Sequence, residues 1–303
     1  MGTIKRIRET IKNPWKLFYL AAAQGHFSWM PDEFYLKCLY RGRIGKKLNL
    51  ENPKTFNEKL QWLKMYNHRP EYTMMVDKYL VRDYIARKLG EEYLIPLLGV
   101  WDNPEEIDFD ILPNQFVLKC NHNSGLGMCI CKDKSSLDVN DVRKKLKDGL
   151  NQDYYLFNRE WPYKDVTRKI ICEQYMDDGS GELKDYKFMC FNGEVKCSFV
   201  CSDRFSEEGL KVTFYDTNWN MMPFERHYPR ASKPIEKPKS YDEMIQMARI
   251  LSENIPFVRV DFYEINGRPY FGELTFFPGS GNEEFSPEEW DTTLGSWITL
   301  PQK

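Results

Sequence analysis

Two short runs in the last third of the chain constrain it most: Val258-Arg259-Val260-Asp261-Phe262-Tyr263, and then Tyr270-Phe271-Gly272-Glu273-Leu274-Thr275. Each alternates apolar with polar residues and is rich in β-branched and aromatic types, the pattern of a half-buried strand. Glu264-Ile265-Asn266-Gly267-Arg268-Pro269 separates them, and Asn-Gly is a tight-turn signal, so the pair reads as a hairpin. Pairing places Arg259, Asp261, Glu273 and Thr275 on one face. Unpaired charges are costly to bury, so that face makes a poor apolar core. It suits a divalent cation and a phosphate, because Mg²⁺ takes carboxylate oxygens together with phosphate oxygens. A surface hairpin with one salt bridge has the same spacing.

A chain of 303 residues can bury a large core, as one large domain or as two to three lobes. Its 42% hydrophobic and 29% charged residues are those of a globular protein. A formal charge of −2 gives no global electrostatic case for nucleic acid. The 8 cysteines lie mostly in apolar, strand-like runs, as reduced cysteines of a cytosolic protein do. Cys129-Ile130-Cys131 is not a CxxC pair, and with His122 it still lacks a fourth zinc ligand. No signal peptide is visible, and no apolar run approaches the roughly 18 residues of a membrane helix. The expected location is cytoplasmic.

Residues 1–70 read as helical: Ile4, Ile7, Ile11, Trp15, Phe18 and Tyr19 fall at helical spacing, with Pro14 interrupting. Lys5, Arg6, Arg8, Lys12 and Lys16 make the opening basic and amphipathic. That suits docking on the rest of the protein, a partner helix, or peripheral contact with the inner face of a membrane. Thr55 with Glu58 three residues on is a capping-box spacing. A further helix is expected over 75–89, stopping at Gly90. Strands are expected at 115–119 and 128–131 around a Gly/Asn/Ser loop, followed by a charged helix over 138–150. From residue 169 strands dominate (169–173, 187–191, 194–202, 211–215), with Asn192-Gly193 as a hairpin turn and a helix over 241–253. A helical lead-in, a small lobe and a larger antiparallel α+β lobe fit this order.

Phe116-Val117-Leu118-Lys119 followed by Asn121-His122-Asn123-Ser124-Gly125-Leu126-Gly127 sets a lysine at a strand end before a loop. Gly125 and Gly127 let backbone N–H groups approach phosphate oxygens while the ammonium supplies charge. Ile170-Ile171-Cys172-Glu173-Gln174-Tyr175-Met176 is an apolar strand that ends on a carboxylate and stays extended, which suits an adenine edge. Asp185-Tyr186-Lys187-Phe188 alternates charge with aromatic rings, and Lys187 is as well suited to pairing with a carboxylate as to a nucleotide. His122 and His227 are expected in solvated loops, and Glu283-Glu284 as surface charge.

Taken in order, these segments resemble the ATP-grasp superfamily. More narrowly they resemble the branch named for the teichuronopeptide biosynthesis protein TupA, found with capsule and cell-wall polysaccharide genes. The likeness runs from about 52 to 295 and includes Asn52-Pro53-Lys54-Thr55-Phe56-Asn57-Glu58-Lys59, Asp77-Lys78-Tyr79, Tyr93-Leu94-Ile95-Pro96 and both hairpin strands. It implies an α+β ATP-grasp fold: a helical N-terminal region (1–76), a small lobe with a glycine-rich flap (77–172) and a large lobe with a metal-binding hairpin (173–303). It implies ATP and Mg²⁺. Lys78 and Lys119 would touch the phosphates, with Ser124, Gly125 and Gly127 in the flap. Glu173, Gln174, Tyr175 and Met176 would line the adenine pocket, with Asp185 near the ribose and Lys187 beside it. Asp261, Glu273 and Thr275 would hold the metal, and Arg259 with Lys119 would serve catalysis. Thr275 stands where the superfamily usually has Asn, which leaves the number of metal ions open.

The implied activity is carboxylate–amine ligation through an acyl phosphate, joining an amino acid or amino sugar to a capsular or cell-wall polysaccharide or its precursor. A kinase acting on a sugar hydroxyl would use the same lysines and metal ligands. A glycosyltransferase using a nucleotide sugar would need an Asp-x-Asp motif; Asp108-Phe109-Asp110 lies in a Pro-flanked linker and not at a strand end.

Overall fold

The computed structural model describes residues 14–22, 24–179, 183–203, 206 and 209–302. Ile4, Ile7, Ile11 and the basic residues Lys5, Arg6, Arg8 and Lys12 lie outside them. Helix α1 is described over Pro14–Ala22. Helix α2 (Asp32–Ile44) ends at Gly45, whose φ of 81° lets its N–H return to Arg41 O. Helix α3 (Phe56–Tyr66) begins with the expected capping box between Thr55 and Glu58.

The helix expected over 75–89 is two helices, α4 (Glu71–Val76) and α5 (Val81–Lys88). Asp77 causes the break. Its Oδ1 accepts from the N–H groups of Tyr79 (2.8 Å) and Leu80 (3.2 Å), a local side-chain bond that competes with the helical ladder. The extended backbone at Asp77 then sends Lys78 toward the glycine loop, where its N–H donates to Asn121 O.

The first sheet holds β1 (Leu97–Trp101), β2 (Phe116–Cys120), β3 (Cys129–Cys131) and β4 (Ile170–Gln174), all antiparallel in the order β1-β4-β2-β3. Helix α6 (Val139–Asn151), capped by Asp138, buries Val142 and Leu146 against Phe116, Leu118, Ile170 and Cys172. A short helix, α7 (Tyr154–Asn158), leads back to β4.

The second sheet holds β5 (Asp185–Phe191), β6 (Glu194–Ser202), β7 (Lys211–Asp216), β9 (Phe257–Ile265) and β10 (Arg268–Thr275), in the order β10-β9-β5-β6-β7. The remaining strands, β8 (Glu225–Arg226) and β11 (Phe285–Ser286), pair separately. Asn192-Gly193 and Asn266-Gly267 both have positive φ, as a two-residue hairpin turn requires. Helix α8 (Tyr241–Ser252) packs Tyr241, Met244 and Ala248 on Phe188, Val258, Val260 and Phe262. Each of Met244, Phe188, Val258, Val260 and Phe262 contributes roughly 1.5–3 kcal/mol by burial. Strand side chains alternate between faces, so covering this face turns Lys187, Arg259 and Asp261 to the other. Helix α9 (Glu289–Ser296) closes against α3. Among the described residues, no helix is long and apolar enough to cross a membrane.

Candidate active site

Register builds the polar face. Asp261 stands opposite Glu273 on one side and Lys187 on the other, and Arg259 stands opposite Thr275. Directly opposed residues share a face, so Lys187, Asp261 and Glu273 line up across three strands. Arg259 donates Nε to Asp261 Oδ1 (2.7 Å) and Nη2 to Oδ2 (2.6 Å), and Nη2 also reaches Glu273 Oε1 (2.9 Å). Lys187 Nζ donates to Asp261 Oδ2 (2.5 Å) and lies 3.6 Å from Asp185. Thr275 Oγ1 donates weakly to Glu273 Oε1 (3.4 Å).

The first sheet and the α4–α5 segment beside it bring their own cations. Lys119 Nζ lies 2.5 Å from Glu173, and Arg82 lies 3.4 Å from the same carboxylate. Gln174 N–H donates to Pro96 O, while Lys132 sits over the Tyr175 ring at 5.8 Å. Lys78 Nζ donates to Asn123 O (2.6 Å) and so ties the glycine loop down at one end.

That loop is only partly open. Ser124 and Gly125 are exposed, and a Cβ at Gly125 would meet nothing within 4 Å. Gly127 is instead buried against Gly149 of α6 and anchors the loop there. A Cβ there would come within 2.8 Å of Cys120 Sγ and Gly149 Cα. His122 is buried too, contrary to the solvated loop expected. It is 1% exposed, its Nε2 lies 3.1 Å from Gln152 O, and burial lowers its pKa to about 4. His227 is exposed, beside Arg43. Glu283 is no free surface charge, for it pairs with Arg226 at 3.0 Å.

Charges from both sheets converge on Glu273. Burial pushes its pKa up, but Lys78, Arg259, Lys187 and Lys119 together override that and hold it at about 2. Burial lowers the Lys78 ammonium, with Glu273 opposing. Burial also works against the Lys187 charge, but Asp185 and Asp261 raise its pKa overall. Several cations gathered around two carboxylates suit a polyphosphate with its metal. The oxygens of Asp261, Glu273 and Thr275 form a donor set of the hard type that Mg²⁺ takes. Glu273 Oε2 has no hydrogen-bond donor among the described residues, whereas both Asp261 oxygens already accept from Arg259. The donor set therefore fits Mg²⁺, with Glu273 as its most available member.

A cavity of about 150 Å³ opens beside Arg259, Glu273 and Thr275, and Ser124 of the loop lies on its wall. It is also lined by Tyr154, Glu160, Tyr163 and residues 277–280, which the sequence reading did not single out. Neither did it give a role to Asn57, Gln61 or Lys64 of α3, all buried. Asn57 Nδ2 donates to Glu283 O (2.8 Å) and Gln61 Nε2 to Ser280 O (2.8 Å). Lys64 Nζ donates to Ser280 O, Asn158 O and Gln61 Oε1. Their i, i+4, i+7 spacing among buried Phe56, Leu60 and Leu63 was the available signal: a polar stripe on a helix otherwise committed to the core. By contrast, Asp108 and Asp110 are exposed in a turn where Asp108 Oδ1 accepts from Asp110 N–H, and Phe109 joins the first sheet's core.

Two antiparallel sheets, the loop of the first and the charged face of the second lining one cavity, form an α+β ATP-grasp fold. The family model for TupA-like ATP-grasp proteins matches residues 58–299, and the chain belongs to that family. Among solved structures it is similar to D-alanine–D-alanine ligase from Helicobacter pylori, at 15% identity and a TM-score of 0.44, covering 80% of this chain and 69% of that one. It is also similar to the ATP complex of D-alanine–D-alanine ligase from Bacillus anthracis (16% identity, TM-score 0.40, 67% and 54% covered). A third is N5-carboxyaminoimidazole ribonucleotide synthetase from Thermus thermophilus (10%, 0.41, 73% and 51%). The chain thus spans about half the length of the last two. No curated protein matches the sequence.

Proposed function

We propose that this protein is an ATP- and Mg²⁺-dependent carboxylate–amine ligase acting on a capsular or cell-wall polysaccharide or its precursor. The observation that carries the reading is the convergence of Lys119, Lys187 and Arg259, drawn from both sheets, and of Lys78 from the turn between α4 and α5, on Glu273. Membership of the TupA-like ATP-grasp family supports it, and the polysaccharide context is what the resemblance implies.

In this reading Lys78 and Lys119 bind the ATP phosphates, and Ser124 and Gly125 close over them. The backbone of 173–176 takes the adenine edge, with Asp185 toward the ribose. Lys187 holds Asp261 in place. Glu273, with Asp261 and Thr275, holds Mg²⁺, which when bound neutralises phosphate charge and fixes its orientation. Arg259 faces the cavity and stabilises negative charge that develops as phosphoryl passes to the carboxylate and as the amine attacks. Such a site works chiefly by positioning and electrostatics.

The test is product analysis with Mg²⁺-ATP and paired carboxylates and amines, including uronic acids, amino acids and amino sugars. Amine-dependent release of ADP together with free phosphate supports ligation. ADP formation with phosphate retained on a sugar hydroxyl would replace this reading with a kinase.

A further inference from the structure

Glu160 lines the cavity although it is only 4% exposed. It precedes a short turn (Trp161–Tyr163) and faces a loop in which Gly279, Ser280 and Gly281 all have positive φ. For Ser280 that conformation is strained, and it persists because Gln61 and Lys64 hold its carbonyl oxygen. Ser280 is thereby set with its hydroxyl on Glu160 Oε1.

This hydroxyl is the one hydrogen-bond donor to the Glu160 carboxylate among the described residues. Lys64 is the nearby cation, but its three protons go to Gln61 Oε1, Asn158 O and Ser280 O, at 3.1, 3.0 and 2.9 Å. A buried carboxylate with a single neutral donor is under-satisfied. The cavity carries the same imbalance. Its charged walls are Glu160, Glu273 and Arg259, and Arg259 is already bound to Asp261 and Glu273. Tyr154 and Tyr163 complete that side, their rings edge to face at 4.7 Å, and aromatic rings favour a cation. The volume of about 150 Å³ is that of about five waters, enough for a small aminoalkyl head.

We propose that Glu160, positioned by Ser280 and flanked by Tyr154 and Tyr163, binds the primary ammonium group of the acceptor. The inference rests on the ligase reading and deepens it, by assigning Glu160 to the amine and Arg259 to the carboxylate. Burial raises the pKa of Glu160, opposed by Lys64, Ser280 and Arg259, so a cation bound beside it would favour its charged form.

Ligand-observed NMR with ethylammonium chloride, and with ethanol as its uncharged counterpart, tests the site with and without Mg²⁺ and a non-hydrolysable ATP analogue. The expected result is binding of ethylammonium but not ethanol, weakened roughly tenfold or more in Glu160→Gln, as loss of a charged hydrogen-bond partner implies. Equal binding by wild type and Glu160→Gln, or equal binding of ethylammonium and ethanol by wild type, would overturn it. The second comparison needs no variant and so stands even if Glu160→Gln does not fold. Thermal shifts with the ATP analogue on the same samples separate the two readings. Failure of nucleotide binding sinks the ligase, while the ammonium titration without nucleotide still decides the subsite.

Discussion

Arg259 grips Asp261 through two parallel bonds, Nε to Oδ1 and Nη2 to Oδ2, although the residues lie only two apart on one strand. Residues at i and i+2 share a face, which is what allows the fork to close on the carboxylate. Because Asp261 is 2% exposed, this pair fixes the polar face before any ligand arrives.

Arg259→Ala should therefore cost stability as well as activity. It leaves Asp261 buried with Lys187 as its remaining cation, and breaking a buried pair typically costs 3–5 kcal/mol. With Lys187 still in place, a loss of about 3 kcal/mol is expected in urea unfolding. Adding Asp261→Asn should recover part of that, because the stranded charge disappears. Simple additivity of the two losses would show that the pair is not energetically coupled.

Glu273→Ala and Lys119→Ala should separate the metal from the phosphates. A ligand at about 100 times its dissociation constant stabilises by about 2.7 kcal/mol, which a thermal shift resolves. With an ATP analogue, Glu273→Ala should lose the Mg²⁺-dependent part of the shift. Lys119→Ala should weaken nucleotide affinity at every Mg²⁺ concentration. An unaltered shift in Lys119→Ala would make the Lys119–Glu173 pair purely structural, and a shift with UDP-sugars alone would favour a nucleotide-sugar enzyme.

His122 should imprint a pH dependence on folding. Its folded pKa is lowered by burial from 6.5 to about 4, so the native state resists a proton that the unfolded chain accepts. Stability from this source is complete above pH 6.5, falls as pH drops, and levels off below about pH 4. The full swing is about 3 kcal/mol. In His122→Gln, which keeps a donor for Gln152 O, the slope of unfolding free energy against pH between 6.5 and 4 should be shallower than in wild type. Parallel slopes would mean that His122 is protonated or mobile in the folded state.

Local signals were legible wherever they agreed with the tertiary structure. Asn192-Gly193 and Asn266-Gly267 turn as read, and the Thr55–Glu58 capping box forms where its spacing puts it. The pairs Arg259/Asp261 and Glu273/Thr275 were legible because alternation sets which residues of one strand share a face, but what sets Glu273 opposite Asp261 instead of Val260 is a register shift between Phe271 and Glu273, which alternation does not show. The helix over 75–89 failed because Asp77 has a better use: it caps the turn before α5 and also accepts from Asn121 Nδ2 at 2.9 Å. Periodicity does not show a competing partner 44 positions away. Glu160 and Lys64 were opaque for the same reason. Their shared neighbour, Ser280, lies 120 and 216 positions distant, and a lone Lys or Glu in a sequence reads as solvated surface.

The glycines around the loop give opposite expectations that local propensity alone would invert. Gly149 lies inside α6, where alanine is ordinarily favoured by up to about 1 kcal/mol. A Cβ there would sit 2.6 Å from Gly127 Cα and 2.8 Å from Cys120 Sγ, and the first is backbone that cannot rotate away. Overpacking of this kind costs about 1–3 kcal/mol, so Gly149→Ala should destabilise despite the better helix former. It should also weaken ATP-analogue binding, because the clash pushes the loop carrying Ser124 off its anchor. Gly125→Ala meets nothing within 4 Å but sits at φ +83°, so its cost should stay near 1 kcal/mol of backbone strain. Melting temperature and nucleotide affinity measured on both variants separate the two effects. If Gly149→Ala bound the analogue like wild type while losing stability, α6 would support the first sheet without positioning the loop.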